Sequence, residues 1–387
     1  MKKIRLGILG VGNIGSLHLN NVLDGKCPEI EIGAVCDLKD SRLDFVKEKS
    51  KDIPCFKDAE EMMDSGLIDS VIIAVPHYDH PKYAIMAMKK GLHTMVEKPA
   101  GVYTKQVLEM NKVADECNVK FALMMNQRTN CIYRKMREIV KSGEMGAIKR
   151  TNWIITDWYR PQAYYNSGEW RATWQGEGGG VLLNQCPHNL DLWQWICGMP
   201  VKVDAKLHYG KWHNIEVEDD VSAYVEYANG ATGIFVTTTG DVPGTNRFEI
   251  TLEKGKLIAE NGSLKMWKSE MSEPEFSRTN EIPFGWPKIE EIAVETDGEN
   301  PQHAGVMNAF ASAILHGTEL VADGREGING LSISNAMHLS SWLGKEISMD
   351  ELDSELFYNE LMKRVSASNV KKEVKETVAD DMGASFR

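Results

Sequence analysis

Short apolar runs alternate with amphipathic stretches through the first third of the chain. "IRLGIL" (4–9), "IEIGAVCD" (30–37), "IDSVIIAVP" (68–76), "LHTMVEKP" (92–99) and "VKFALMMNQR" (119–128) read as strands. Between them, "SLHLNNVL", "SRLDFVKEKS", "HPKYAIMAMKKG" and "TKQVLEMNKVADECN" place apolar residues at helical spacing. Strands that alternate with helices build right-handed crossovers around a parallel sheet. The pattern predicts a doubly wound α/β domain over 1–127.

After a predicted helix at about 131–143 the period changes. "IKRTNWIITDWY", "VKVDAKLHYG", "DDVSAYVEYANGATGIFVTTT" and "RFEITLEKGKLIAENGSLKMW" alternate apolar and polar residues. Asn229-Gly230 and Asn261-Gly262 have hairpin-turn chemistry. A second, α+β domain with a large open, mostly antiparallel sheet is predicted over 128–350. Helices at 303–316 and 326–343 should cover one face of it or return to the first domain. Residues 351–387 read as a C-terminal helix and a polar tail, mobile or a peripheral arm from about 366.

Composition narrows the function. The chain has 387 residues and a net charge of −12. Nucleic acid and anionic membranes attract clustered Lys and Arg, so neither is an expected partner. No apolar run has the length of a membrane-spanning helix. The basic-then-apolar start lacks the cleavage site of a secretory signal. Seven cysteines without a Cys-x-x-Cys pair indicate free thiols and a reducing, cytoplasmic setting.

Candidate chemistry begins at Gly10-Val11-Gly12-Asn13-Ile14-Gly15, a G-x-G-x-x-G run between a predicted strand and a predicted helix. Gly10 allows a tight turn, Gly12 close approach of a pyrophosphate, and Gly15 helix–strand packing. The N–H groups opening the helix would hold the phosphates, with Asn13 and Ile14 in that first turn. Asp37 ends the second strand. It can accept both ribose hydroxyls and would repel a 2′-phosphate, and no arginine follows immediately. The pattern therefore predicts a Rossmann domain that binds NAD rather than NADP.

Lys98 lies at the carboxyl end of the fourth predicted strand, where ligands bind in such sheets. Pro99 restricts its backbone. From the residues alone, a surface lysine and a reactive one are equally open. Together the glycine loop, "AVP" at 74–76, His80, "EKP" at 97–99 and "GGGVLLNQCPHNLD" at 178–191 resemble the Gfo/Idh/MocA oxidoreductases over about 4–345. That family includes glucose–fructose oxidoreductase, inositol dehydrogenases and sugar 3-dehydrogenases. The resemblance implies a catalytic Lys98 and a candidate acid/base in His188. It also implies a cofactor region lined by Ala74, Pro76, His80, Glu97, Lys98 and Gln127.

Pro187 suits the first position of a helix. Were the helix already formed at Asn184, then Asn184, His188 and Asp191 would lie near one face. A histidine near a helix N-terminus is disfavoured as a cation, while Asp191 would favour the cation, so the net shift stays open. Inositol dehydrogenase-like members carry an aspartate at the position of Asn184. Asparagine cannot relay a proton, so the full Lys–Asp–His relay is not carried over. Asn184 is retained as a catalytic-site hydrogen-bonding residue.

"DWYRPQAYYNSGEWRATWQGEGGG" (157–180) sets tyrosines and tryptophans among arginines and acids. Such a loop can stack on a sugar ring and bond its hydroxyls, with Tyr159, Arg160 and Trp174 joining Lys98, Asn184 and His188. It can equally form a subunit interface. No metal is expected, because His77, Asp79 and His80 lack the spacing of a closed zinc site. The combined reading is an NAD-dependent dehydrogenase for a ring secondary hydroxyl of a sugar, glycoside or polyol, with C3 a candidate position that the resemblance to sugar 3-dehydrogenases implies. The alternatives are a redox-neutral NAD-dependent glycosidase acting through a transient 3-keto sugar and a non-catalytic NAD-binding regulator. A homo-oligomer, dimer or tetramer, through the C-terminal sheet is expected.

Overall fold

The computed structural model describes residues 2–368 and 374. The first layer runs β1 (Ile4–Leu9), α1 (Asn13–Leu23), β2 (Ile30–Cys36), α2 (Asp40–Lys49), β3 (Cys55–Phe56), α3 (Ala59–Asp64), β4 (Ser70–Ile73), α4 (His80–Lys89), β5 (His93–Val96), α5 (Thr104–Glu116) and β6 (Phe121–Leu123). The six strands pair in parallel in the order β3-β2-β1-β4-β5-β6. The order reverses between β1 and β4, and a crevice for ligands opens there.

The patterning overlooked β3 and α3. β3 has two residues, too few for a period to register, and Asp58 caps α3 by accepting from the Glu60 and Glu61 N–H groups at 2.8 and 2.9 Å. The predicted fifth strand is also shorter. Asn126–Thr129 is a 3-10 turn, so Gln127 leaves the sheet and turns toward the second layer.

α6 (Cys131–Ser142) leads into the second layer. It continues with β7 (Ile148–Ile155), α7 (Gln162–Tyr165), α8 (Pro187–Cys197), β8 (Lys202–Tyr209), β9 (Glu218–Glu226), β10 (Thr232–Thr238), β11 (Asn246–Leu252), β12 (Gly255–Glu260) and β13 (Ser263–Ser269). α9 (Glu273–Thr279), β14 (Ile289–Ala293), α10 (Gln302–His316), α11 (Gly327–Leu343), β15 (Ile347–Ser348) and α12 (Ser354–Ala367) complete it. The nine strands follow the order β14-β13-β12-β11-β7-β10-β9-β8-β15. Only β7 and β10 pair in parallel, so the open antiparallel sheet is as patterned. Asn261 and Gly262 both adopt positive φ at the β12–β13 turn, as a tight hairpin requires.

One face of this sheet is dry. Trp153 stacks on Phe248 at 4.1 Å between ring centroids, and Trp193 of α8 stacks on Phe235 at 5.3 Å. α11 packs across β8 and α8. The other face leaves Ile154, Tyr224 and Ile234 exposed. α10 returns to the first sheet, where Val306, Met307 and Phe310 join the core of Ile4, Leu6 and Ile8. Most of the polar tail lies outside the described residues. No helix among the described residues is long and apolar enough to cross a membrane.

Candidate active site

The cofactor half is built from backbone. β1 ends at Leu9 and α1 begins at Asn13, so Gly10–Gly12 must turn within three residues. Gly10 has φ +89°, and any Cβ there would strike the carbonyl of Ala74. A Cβ on Gly12 would meet nothing within 4 Å. That open space lies where the first helical N–H groups of Asn13, Ile14 and Gly15 have no partner inside the helix, which suits a pyrophosphate. Asp37 follows β2 and accepts from the Val11 N–H at 2.7 Å and the Lys39 N–H at 2.9 Å. A carboxylate offers about four acceptor sites, so two N–H bonds leave room for ribose hydroxyls. The residues present therefore fit a dinucleotide.

Arg42 holds the same turn, donating to the Val11 carbonyl at 2.5 Å and to Ser16 Oγ at 2.6 Å. Ala74 binds the end of β1 through its N–H, 2.8 Å from the Leu9 carbonyl, and Pro76 is exposed just beyond it. His80 sets its ring nitrogens 2.7 Å from the Pro99 carbonyl and 2.8 Å from that of Val75. It thus ties the segment after β4 to the segment after β5. Gln127 donates to Gln302 Oε1 at 3.2 Å.

Glu97 and Lys98 emerge from β5. Glu97 is buried and its Oε1 lies 2.7 Å from His18 Nε2. Burial alone would raise its carboxyl, but the His18 hydrogen bond and the nearby charges of His18, His303 and Lys98 hold it at about 2. Lys98 Nζ donates to the Asn184 carbonyl at 2.8 Å. Burial lowers its pKa, while the charges of Glu97 and Glu177 oppose that shift. One hydrogen bond therefore joins the end of the parallel sheet to the turn before α8.

The other half is built from side chains. Gly180 and Leu182 donate to the buried Glu218 carboxylate, which His338 also contacts at 3.1 Å. This anchors the glycine-rich turn that presents Asn184. The Asn184 amide donates to Glu177 Oε1 and, at 3.3 Å, to the Tyr164 hydroxyl. Arg171 donates to the same hydroxyl at 3.0 Å. His188, in the first turn of α8, is buried. Its pKa falls to about 3 through burial first, then through the charges of Lys98 and His303. It is neutral near pH 7, and its Nδ1 is buried with no hydrogen-bond partner among the described residues.

Several expectations need correction. α8 begins at Pro187, so Asn184 precedes the helix and shares no helical face with His188. Asp191 does not raise the basicity of His188. Its carboxylate accepts from Arg128 Nε and Nη2, both at 2.7 Å, and the pair is buried. Trp174 does not join the predicted substrate group. Its ring is buried against Tyr209, His338 and Trp342, where it contributes to packing. Tyr159 stays exposed, and Arg160 lies over the rings of Trp158 and Tyr164 at 5.5 and 5.2 Å.

Sequence reasoning overlooked Glu177, His18 and His303. His18 lies one turn into α1, and His303 lies some 280 residues later on α10, yet their rings are 5.7 Å apart. No spacing could pair them. Glu177 did have a signal, because it directly precedes the glycine run that leads to Asn184.

The comparisons agree with this architecture. The family pattern described as an oxidoreductase family with an NAD-binding Rossmann fold matches residues 4–125, and the GFO/IDH/MocA C-terminal domain matches 133–258. Among curated proteins, the myo-inositol 2-dehydrogenase of Thermotoga maritima is 24% identical over 67% of this chain and 75% of its own. The D-glucoside 3-dehydrogenase of Escherichia coli is 25% identical over 59% of this chain and 68% of its own. The solved WlbA dehydrogenase of Chromobacterium violaceum, in complex with NADH and UDP-GlcNAcA, is 26% identical. It aligns with a TM-score of 0.78 over 90% of this chain and 96% of its own. With an NAD-binding Rossmann domain joined to the matching C-terminal domain, the chain belongs to the Gfo/Idh/MocA family of oxidoreductases.

Proposed function

We propose that this protein oxidises a ring secondary hydroxyl of a sugar, glycoside or polyol, with NAD as acceptor and C3 of a sugar ring a candidate position. The observation that carries the reading is the Lys98 Nζ–Asn184 carbonyl bond, which brings the two halves of the cleft to one point. A bound nicotinamide would supply the acceptor for the hydride. Gly10, Gly12, Asn13, Ile14, Gly15 and Asp37 would hold the dinucleotide, with Ala74, Pro76, His80, Glu97 and Gln127 around it.

His188 accepts the hydroxyl proton, for which its neutral state is required. The Lys98 ammonium stabilises the negative charge that develops on the same oxygen. Asn184 hydrogen-bonds a substrate hydroxyl beside the reacting one and carries no proton itself. Tyr159 and Arg160 border the sugar, and the aromatic character of 157–180 supports stacking. Asp37 supports NAD over NADP, since a carboxylate repels a 2′-phosphate. The open face with Ile154, Tyr224 and Ile234 supports a homo-oligomer, and the free cysteines support a cytoplasmic location.

The test is absorbance at the reduced-nicotinamide band on mixing the protein, NAD and a panel of pyranoses, glycosides and inositols. NADH produced in proportion to one class establishes the reaction and its substrate class. Release of an aglycone with no net NADH would replace it with a redox-neutral glycosidase.

A further inference from the structure

Asn184 cannot carry negative charge, yet a buried carboxylate stands against it. Glu177 is 2% exposed and receives the Asn184 Nδ2 on Oε1 and the Ala172 N–H on Oε2, the latter at 2.5 Å. Its own carbonyl faces His77 Nδ1 at 3.3 Å. Burying a carboxylate is costly unless charge and hydrogen bonds compensate. Here burial pushes its carboxyl above the usual range, and the charge of Arg171, the Ala172 N–H, the Asn184 amide and the charge of Lys98 oppose that rise and favour its anion. Tyr165 feels the same carboxylate. None of the steps assigned above uses this group.

The amide has two chemically distinct ends. Because a carboxylate only accepts, the Asn184 NH2 must face Glu177, and Oδ1 is left as the acceptor for another donor. We propose that Glu177 is a positioning residue of this site. It orients the Asn184 amide so that Oδ1 accepts from a substrate hydroxyl beside the reacting one, and it holds a negative charge that keeps Lys98 an ammonium. The inference rests on the functional reading above for the hydroxyl, but its effect on Lys98 needs no substrate.

Two readouts keep these separate. Competitive acetylation followed by mass spectrometry titrates Lys98 in the protein without cofactor. In Glu177→Gln the Lys98 midpoint should fall by about one pH unit, because an opposing charge is lost nearby. In the double variant Glu177→Gln/Asn184→Asp, a carboxylate returns on the adjacent side chain and the midpoint should recover. An unchanged midpoint in Glu177→Gln, or a drop that the double variant does not reverse, overturns the charge role whatever the substrate proves to be. With a substrate in hand, Glu177→Gln should lose about 10- to 100-fold in kcat while KM for NAD stays within about twofold. Its alkaline limb should move to lower pH with Lys98. Wild-type kcat in that variant overturns the positioning role. Glu177→Asp, which keeps the charge, provides the same titration should the glutamine variant fail to fold, and it should hold the Lys98 midpoint near wild type. A midpoint that falls in Glu177→Asp would overturn the charge role.

Discussion

The two halves of the cleft are made differently. The cofactor half uses main chain: a three-residue turn, the start of α1, and one carboxylate that fastens the Val11 and Lys39 amides. The facing half uses side chains: Arg171, Glu177 and Asn184 lie between α7 and α8, and the charges of Arg171 and Glu177 act on Lys98 at the end of β5. Main-chain sites tolerate side-chain change because their donors belong to every residue. Charged side-chain sites fail when one member is removed, because the remaining charge stays buried.

The largest break in that comparison should come from Arg128. Arg128→Met leaves Asp191 buried and unpaired, and should cost about 3–5 kcal/mol in urea denaturation. Arg128→Met/Asp191→Leu should recover most of it. Equal stability of the single and double variants would show that the pair does not set the position of α8.

Lys98→Met comes next. Turnover should fall about 10²- to 10³-fold with NAD affinity, read by protein fluorescence, within about threefold of wild type. Equal losses in affinity and turnover would place Lys98 in the cofactor half instead.

Asp37→Ala sharpens the contrast from the other side. Loss of its acceptor should weaken NAD about tenfold while improving NADP relative to NAD, aided by Arg42 on the same turn. An unchanged NADP/NAD ratio of affinities would remove Asp37 from the ribose site.

The remaining effect is read in pH. His188 binds its proton at about 3 when folded and near 6.5 when unfolded. Between those values the unfolded chain holds more protons, so stability is full above about pH 6.5 and falls as the pH drops toward 3. His188→Asn should flatten that fall in urea midpoints measured from pH 7 to pH 4. An unaltered slope would mean that other groups, such as His303, set it.

The first sheet was read almost strand for strand because each buried parallel strand is a short apolar run bounded by turn residues. The exceptions were local. β3 is too brief to show a period, and the apolar run at 119–128 continued past the point where the chain leaves the sheet. In the site, Gly10, Gly12, Gly15 and Asp37 were legible because their constraint lies within one β-α-β unit. Asn184 and His188 were found as residues, and Pro187 was read as suited to the first position of a helix; the shared face held only for a helix formed as early as Asn184, and α8 starts at Pro187. Trp174 was legible as an aromatic, and its burial against α11 was not.

By itself, then, the sequence determined the plan of the two sheets and the glycine turn of an NAD-binding Rossmann domain, because period, glycine and short-range spacing are local properties, whereas Lys98 and His188 were singled out only by the family resemblance. Only the tertiary structure decided which polar and charged groups meet. Asp191 is claimed by Arg128 and Glu177 by Asn184, and His18 comes within 5.7 Å of His303. Those choices depend on how the chain's layers stack, and Coulomb energy in a buried site depends on distance through space rather than along the chain.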